Sequence, residues 1–197
     1  MKYIICGCAA FLIFILHDFI NDASGSRKGR ALFFAGCGLL AVASAGLIAD
    51  AVADRVFLTL KSVAFSIFTA LFFVALIYTL FFALPFRKTY IEDGPSEDVS
   101  GGPNKVCDTG VYALCRHPGV LWLAGTYISL AIAFPGRDLI IGSVAFTLLD
   151  IVYVIVQDIY IFPHAFSDYD MYRKSTPFLL PTAGSVKRCF YSDRRSS

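Results

Sequence analysis

Five long apolar runs are the feature that most constrains this chain. A helix needs about 20 predominantly apolar residues to cross the hydrocarbon core of a bilayer. We therefore expect an all-α integral membrane protein with about five transmembrane helices. The first run could instead be a signal peptide, but only Lys2 precedes it and no small-residue cleavage site follows closely. The runs cover residues 3–20, 31–49, about 57–84, 118–134 and about 139–162.

The composition supports the same class. Of the 197 residues, 57% are hydrophobic and 16% are charged, and the mean hydropathy is +0.66. Soluble domains are roughly 45–50% apolar and about 25% charged. The chain is therefore not expected to be a soluble enzyme, a disordered tail or a nucleic-acid-binding protein. Its six cysteines form no C-x-x-C pair and no zinc spacing, so we expect packing thiols and no metal site.

The distribution of basic residues predicts an orientation. Cytoplasmic connections of membrane proteins carry an excess of Lys and Arg. If the five runs alternate across the membrane, the first connection, the third connection and the tail lie on one side. Only four of the 17 basic residues then fall on the other side, namely Lys2, Arg55, Lys61 and Arg137. We expect an outward N-terminus and a cytoplasmic C-terminus, with a bacterial inner membrane favoured and the endoplasmic reticulum as the alternative.

The segments that connect the apolar runs suggest that the chain is divided into two regions. Residues 1–84 would form an N-terminal region of three membrane helices, and 85–197 a core that contains a helical hairpin over 118–162. Pro135-Gly136-Arg137 predicts the tight turn of that hairpin. The stretch 86–116 is long, polar and rich in Gly and Pro. Loops of that kind are usually functional or disordered.

The residues just before the fourth run could bind an anion. Pro118 suits the first turn of a helix, because its missing N–H would be unpaired there. Free N–H groups and the positive end of the helix dipole would then lie at this point. Arg116 and His117 add polar or cationic donors. A basic interfacial anchor followed by a helix start is an equally good interpretation.

The fifth run contains several polar residues. Asp150, Tyr153 and Gln157 are spaced i, i+3 and i+7, so they share one helical face, and Asp158 follows. A carboxyl group such as that of Asp150 inside a membrane helix faces the bundle interior or a cavity. A buried hydrogen bond to a neighbouring helix is the simpler interpretation. The aromatic and charged segment 166–181 predicts a short interfacial helix that covers a cofactor or anchors to the membrane.

Together these motifs resemble the isoprenylcysteine carboxyl methyltransferase family, with phospholipid methyltransferases as close relatives. The family pattern reads Gly-x-Tyr, Arg-His-Pro, a helical hairpin, Glu-Glu, Tyr-x-x-Tyr and a closing Pro-rich segment. The resemblance covers roughly residues 100–182. Its counterparts here are Gly110-Val111-Tyr112, Arg116-His117-Pro118, Gln157-Asp158, Tyr169, Tyr172 and the segment 176–181.

The resemblance implies methyl transfer from S-adenosylmethionine to a lipidic or small apolar acceptor at the cytoplasmic membrane face. Arg116 and Asp150 are the catalytic candidates, with Asp150 as a possible general base. Tyr153 is the substrate-binding candidate. The implied cofactor-binding residues are Asn104, Lys105, Val106, Cys107, Tyr112, His117, Pro118, Gly119, Val120, Gln157, Asp158, Tyr169 and Tyr172.

Three positions depart from the family pattern. Gln157 replaces the first Glu, with Asp158 as a substitute carboxylate, and Val120 replaces a Tyr. Tyr153 replaces the Arg that would hold a substrate carboxylate, so a neutral, thiol, amine or lipid-like acceptor fits as well as a prenylcysteine. Two alternatives follow. One is a non-catalytic relative that serves as a membrane scaffold. The other is an NADPH-dependent sterol-type reductase, which the lack of a dinucleotide glycine pattern disfavours.

Overall fold

The structure is a computed structural model and describes residues 1–24, 28–53, 59–83 and 106–192. Every regular element in these ranges is helical. The helices are α1 (Lys2–Ser24), α2 (Lys28–Ala53), α3 (Leu60–Tyr78), α4 (Val111–Leu114), α5 (Pro118–Ala133), α6 (Arg137–Val156), α7 (Phe162–Ala165), α8 (Tyr169–Ser175) and α9 (Ala183–Ser192). One π-helical turn, Thr79–Ala83, extends α3, and a second, Gln157–Ile161, joins α6 to α7.

Four helical stretches are long and apolar enough to cross a membrane. They are Lys2–Ile20, Ala31–Ala53, Leu60–Phe81 and Arg137–Ala165. The predicted all-α class is therefore confirmed for the described residues, and these helices are compatible with a multi-pass membrane protein. The fourth predicted run, 118–134, does form a helix, α5, but its 16 residues fall short of the about 20 that a perpendicular crossing requires.

The outer faces of the long helices are apolar. On α3, large side chains such as Ile67, Leu71 and Val74 are exposed. A contiguous exposed apolar surface of this kind marks contact with a membrane or a partner. The helix bundle therefore has the surface expected of a chain whose solvent is lipid.

Close helix packing forms the centre of the bundle. Helix α1 packs against α2 and α6, and α3 packs against α5. Phe11 and Phe146 lie at the centre, where Tyr127 contacts Phe146 edge-on with the ring centroids 5.4 Å apart. Gly7 lets α1 approach the Phe146 ring, since a Cβ atom at this position would overlap it. Small residues permit this kind of close approach between helices in lipid.

The predicted helical hairpin is present. Helix α5 ends at Ala133 and α6 begins at Arg137, so only three residues connect them. The Ser143 hydroxyl donates to the Tyr127 carbonyl, 3.2 Å away, and ties the two helices together. The hairpin brings the C-terminal end of α6 back to the end of the bundle where α5 starts, and this proximity creates the site described below.

Glycine packing gives the first prediction. Gly7→Ala should destabilise the protein by about 1–3 kcal/mol, because the new methyl group must displace Phe146 from a packed core. Gly38→Ala is the matched control, since nothing lies within 4 Å of a Cβ there and Ala favours helix over Gly by about 1 kcal/mol. Thermal denaturation in detergent measures both. Equal effects of the two substitutions would contradict the tight α1–α6 contact.

Candidate functional site

The site is built around the mouth of α5, residues 116–118. Pro118 is the first residue of α5, as predicted, and His117 precedes it as the N-cap. The backbone N–H groups of Arg116 and His117 donate to the carbonyl oxygens of Pro177 (2.9 Å) and Phe178 (3.3 Å). The segment 176–181, which we call the strap, is therefore fixed against the mouth of α5.

Asp158 is the centre of a buried polar cluster at this point. It lies in the π-helical turn after α6, and its side chain is 5% exposed. Arg116 Nη1 donates to both carboxylate oxygens, at 2.6 and 2.7 Å. The Tyr169 hydroxyl donates to Oδ1 at 2.5 Å, and His117 Nε2 lies 3.3 Å from the same oxygen. We call Arg116, His117, Asp158 and Tyr169 the Asp158 cluster.

The His117 ring is enclosed by aromatic rings. It stacks on Phe162 with centroids 5.7 Å apart and meets Phe178 edge-on at 5.2 Å. Burial lowers the pKa of His117 below its ordinary value of 6.5, and the Asp158 carboxylate opposes this while Arg116 adds to it. His117 is therefore neutral at pH 7, and the cluster contains one cation and one anion.

Tyrosines tie the neighbouring segments together. The Tyr172 hydroxyl donates to the Tyr112 carbonyl at 2.8 Å, and the Tyr112 hydroxyl donates to the Thr79 carbonyl at 3.2 Å. Burial raises the pKa of Tyr169 and Tyr172, and the Asp158 carboxylate raises that of Tyr169 further. Both hydroxyls therefore remain protonated donors. These bonds link α8, α4 and the end of α3 around the mouth of α5.

Burial also excludes the nearest cysteine as a nucleophile. The Cys115 side chain is buried beside the mouth of α5, and burial raises its pKa to about 11, against a smaller lowering by the His117 backbone N–H. Only the thiolate is nucleophilic. Cys115 therefore packs as an apolar group.

A shallow cavity of about 220 Å³, largely open to the protein surface, lies beside the Asp158 cluster. The Arg116 guanidinium lies over the Phe178 ring, 5.3 Å from its centroid, and its Nε–H is buried without a hydrogen-bond partner among the described residues. Arg173 lies at the rim, with Nε 3.7 Å from Asp158 Oδ2. The cavity therefore combines opposite charges with an apolar wall. Its lining residues are Arg116, Ile155, Asp158, Ile159, Arg173 and Phe178.

Gln157 and Tyr153 belong to a different cluster. The Gln157 amide nitrogen donates to Asp18 Oδ2 and to the Tyr153 hydroxyl, both at 2.8 Å. Asp18 Oδ1 lies 2.8 Å from His17 Nδ1, and both of these side chains are buried. The adjacent residues Gln157 and Asp158 thus belong to two different polar clusters. Gln157 contacts Asp18 and Tyr153, and Asp158 contacts Arg116. Sequence reasoning missed His17 and Asp18, although their polarity at the end of the first apolar run was a signal.

Several other predicted residues that the structure describes lie near the mouth of α5 but do not line the cavity. The Val106 N–H donates to Asp168 Oδ1 at 2.9 Å, and the Cys107 thiol lies 3.7 Å from the Thr109 hydroxyl. Pro118, Gly119 and Val120 form the first turn of α5. Asn104 and Lys105 lie outside the described residues.

Asp150 is remote from the Asp158 cluster. It is only partly buried, and eight residues separate it from Asp158, or about 12 Å along the helix axis. Of the predicted site residues that the structure describes, Arg116 and Asp158 alone line the cavity. Ile155, Ile159, Arg173 and Phe178 complete its wall, and sequence reasoning did not select them.

Comparison of this chain with protein-family models, curated proteins and solved structures finds no match. The observations that bear on function are therefore the chemistry of the site and the motif resemblance. Paired opposite charges next to aromatic and aliphatic side chains suit a ligand that is zwitterionic at one end and apolar at the other.

The lowered pKa of His117 predicts a pH dependence. In the unfolded state His117 takes up a proton at about pH 6.5, whereas in the folded state its pKa is lower. The free energy of unfolding therefore has its full value above pH 6.5 and decreases as the pH falls below it. Between pH 6.5 and 5 the melting temperature of the wild type should fall more steeply than that of His117→Gln, which cannot titrate. Parallel curves in thermal denaturation would contradict a buried neutral imidazole.

The buried charge pair predicts a large loss of stability for Asp158→Ala. Removing the carboxylate leaves the Arg116 guanidinium buried without its counter-charge, which costs about 3–5 kcal/mol. Asp138→Ala, in the first turn of α6, is the control, because Asp138 pairs with the exposed amino terminus of Met1 and such pairs contribute about 0–1 kcal/mol. Denaturant titration in detergent compares them, and similar midpoints would contradict the buried pairing.

Proposed function

We propose that this chain is an S-adenosylmethionine-dependent methyltransferase that acts on a lipidic or small apolar acceptor at the cytoplasmic membrane face. The observation that carries the proposal is the Arg116–Asp158 pair, buried beside a cavity with an apolar wall at the end of a membrane helix. The motif set that resembles membrane methyltransferases supplies the expected cofactor.

The charges of the cavity suit the amino-acid end of the cofactor. Arg116 and Arg173 offer donors to its carboxylate, and Asp158 offers a counter-charge to its ammonium and sulfonium groups. The Phe178 ring adds an aromatic face that favours cations. Pockets for whole drug-sized ligands measure about 300–1,000 Å³, so a cavity of about 220 Å³ matches this end of the cofactor and not all of it.

The position of the cavity supports a lipidic acceptor. Ile155, near the end of α6, and Ile159, in the π-helical turn that follows, form part of its wall. Their side chains are also 38% and 47% exposed on the outside of the bundle. An apolar acceptor could therefore enter from the hydrocarbon phase without crossing water. A polar soluble acceptor would meet these two side chains first, at a cost in desolvation.

The expected chemistry makes few demands on the protein. When bound, S-adenosylmethionine supplies an electrophilic methyl group on a good leaving group. The residues of the chain then have to hold and align the reactants, which is worth about 7–11 kcal/mol in favourable geometries. Arg116 and Asp158 would fix the cofactor end, while the strap excludes water above His117. Asp150 could act as a base only toward an acceptor that reaches about 12 Å along α6.

The environment of Gln157 explains why a Gln replaces the first Glu of the family pattern. Its amide donates to Asp18, so a Glu here would bring two carboxylates together in a buried position, at a cost of several kcal/mol. Gln157 therefore meets a packing requirement at α1, and Asp158 provides the carboxylate at the cavity. The departure from the Glu-Glu pattern does not remove the charge that the cofactor needs.

The proposal includes a topology. Helix α5 would complete five spans by local thinning of the bilayer around it, with the N-terminus outside and the C-terminus in the cytoplasm of a bacterial inner membrane. The basic residues Arg116, Arg173 and Lys174 fall at the end where the cavity opens, as the excess of basic residues on the cytoplasmic side requires.

Calorimetry with the detergent-purified protein tests the function. We expect S-adenosylmethionine and S-adenosylhomocysteine to bind the wild type in the micromolar range. Asp158→Asn should weaken binding by about tenfold or more, the effect of losing one hydrogen bond to a charged group. Asp138→Asn, at the opposite end of α6, should bind like the wild type.

A second variant separates site loss from misfolding. Ile155→Trp should fill the cavity and reduce binding while leaving the Arg116–Asp158 pair and thermal stability in place. NADPH is titrated in parallel. Binding of NADPH without binding of S-adenosylhomocysteine would contradict the proposal in favour of a reductase, and binding of neither up to millimolar concentrations would favour the scaffold.

A further inference from the structure

Helix α9 presents two chemically different sides. Ser185 is fully buried and Cys189 is partly buried, so these residues mark the side that packs on the protein. Val186 and Phe190 lie one turn apart on the neighbouring side, and the Phe190 side chain is 73% exposed. Lys187 is exposed beside this apolar stripe. The helix is therefore amphipathic, and its apolar stripe is uncovered.

The packing of α9 places it at the mouth of α5. It contacts α4, which ends at Leu114, and α5 begins at Pro118. The strap that leads toward α9 is held by the backbone N–H groups of Arg116 and His117. Because α5 and α6 are apolar helices that begin or end here, α9 lies at the level where a bilayer surface would begin.

The charge around α9 identifies the surface that would cover the stripe. Residues 169–192 contain four basic side chains, Arg173, Lys174, Lys187 and Arg188, and a single carboxylate, Asp170. Basic amphipathic helices with exposed aromatic side chains bind in the interface of anionic membranes. A protein partner that covered the stripe would have to displace the lipid that surrounds α9 in a membrane.

We infer that α9 is a membrane-surface helix, which inserts Val186 and Phe190 into the interfacial layer and places Lys187 among anionic lipid headgroups. Phe190 would be the apolar anchor, and Lys187 would select negatively charged lipids. Arg188 lies on the opposite side of α9, one turn from Gly184, where its guanidinium donates to the Ser175 carbonyl. This inference is independent of methyl transfer.

Fluorescence from a tryptophan at position 190 tests the insertion. The single tryptophan, Trp122, is replaced by Phe, and Phe190→Trp is reconstituted in nanodiscs of phosphatidylcholine with or without phosphatidylglycerol. We expect a blue-shifted emission that doxyl-labelled lipids quench, and stronger quenching with the anionic lipid. Gly184→Trp is the control on the other side of α9, where only Thr182 lies within 4 Å of a Cβ, and it should stay unquenched.

Charge-neutral variants test the lipid selectivity. In the Phe190→Trp background, Lys187→Gln should weaken membrane docking of α9 about fivefold in anionic nanodiscs and leave docking in neutral nanodiscs unchanged. Arg188→Gln is the matched control on the opposite side of α9 and should leave docking unchanged in both. Thermal denaturation confirms that each variant folds. Equal quenching at both lipid compositions would overturn the electrostatic selection. Absence of quenching in a folded Phe190→Trp protein would overturn the membrane contact itself.

Discussion

A carboxylate at the end of an apolar helix is the constraint on which the rest of the site depends. Asp158 follows a long apolar helix and is almost fully buried, so its charge must be compensated by the fold. Arg116 and His117 reach it from the mouth of α5, and Tyr169 reaches it from α8. Neutralising one charge therefore joins the hairpin to the tail segment, and the cavity forms where the three segments meet.

The sequence predicted what local physics determines. Runs of apolar residues predicted the long helices, Pro118 predicted the start of α5, and Pro135-Gly136-Arg137 predicted a short turn. The mixed aromatic and charged tail predicted a short helix, which is α8. The spacing to Pro118 identified Arg116 and His117 as polar groups at a helix start, and both lie in the Asp158 cluster.

Long-range contacts account for what the sequence did not predict. Counting residues on an ideal helix grouped Gln157 with Tyr153, and the two side chains are hydrogen-bonded, but the further contact of Gln157 with Asp18 on α1 was not predicted. Phe178 reaches the cavity only because the strap folds back against the mouth of α5. Neither of these long-range contacts has a signature in residue spacing, since each depends on how distant segments pack.

Photolabelling locates the proposed cofactor site most directly. S-adenosylmethionine with a tritiated methyl group is irradiated with the reconstituted protein, and the labelled peptides are identified. We expect label in peptides that contain Arg116 or span residues 155–178, and loss of the label with excess S-adenosylhomocysteine. Label confined to α1–α3, or no specific label at all, would contradict the assignment of the cofactor to the Asp158 cluster.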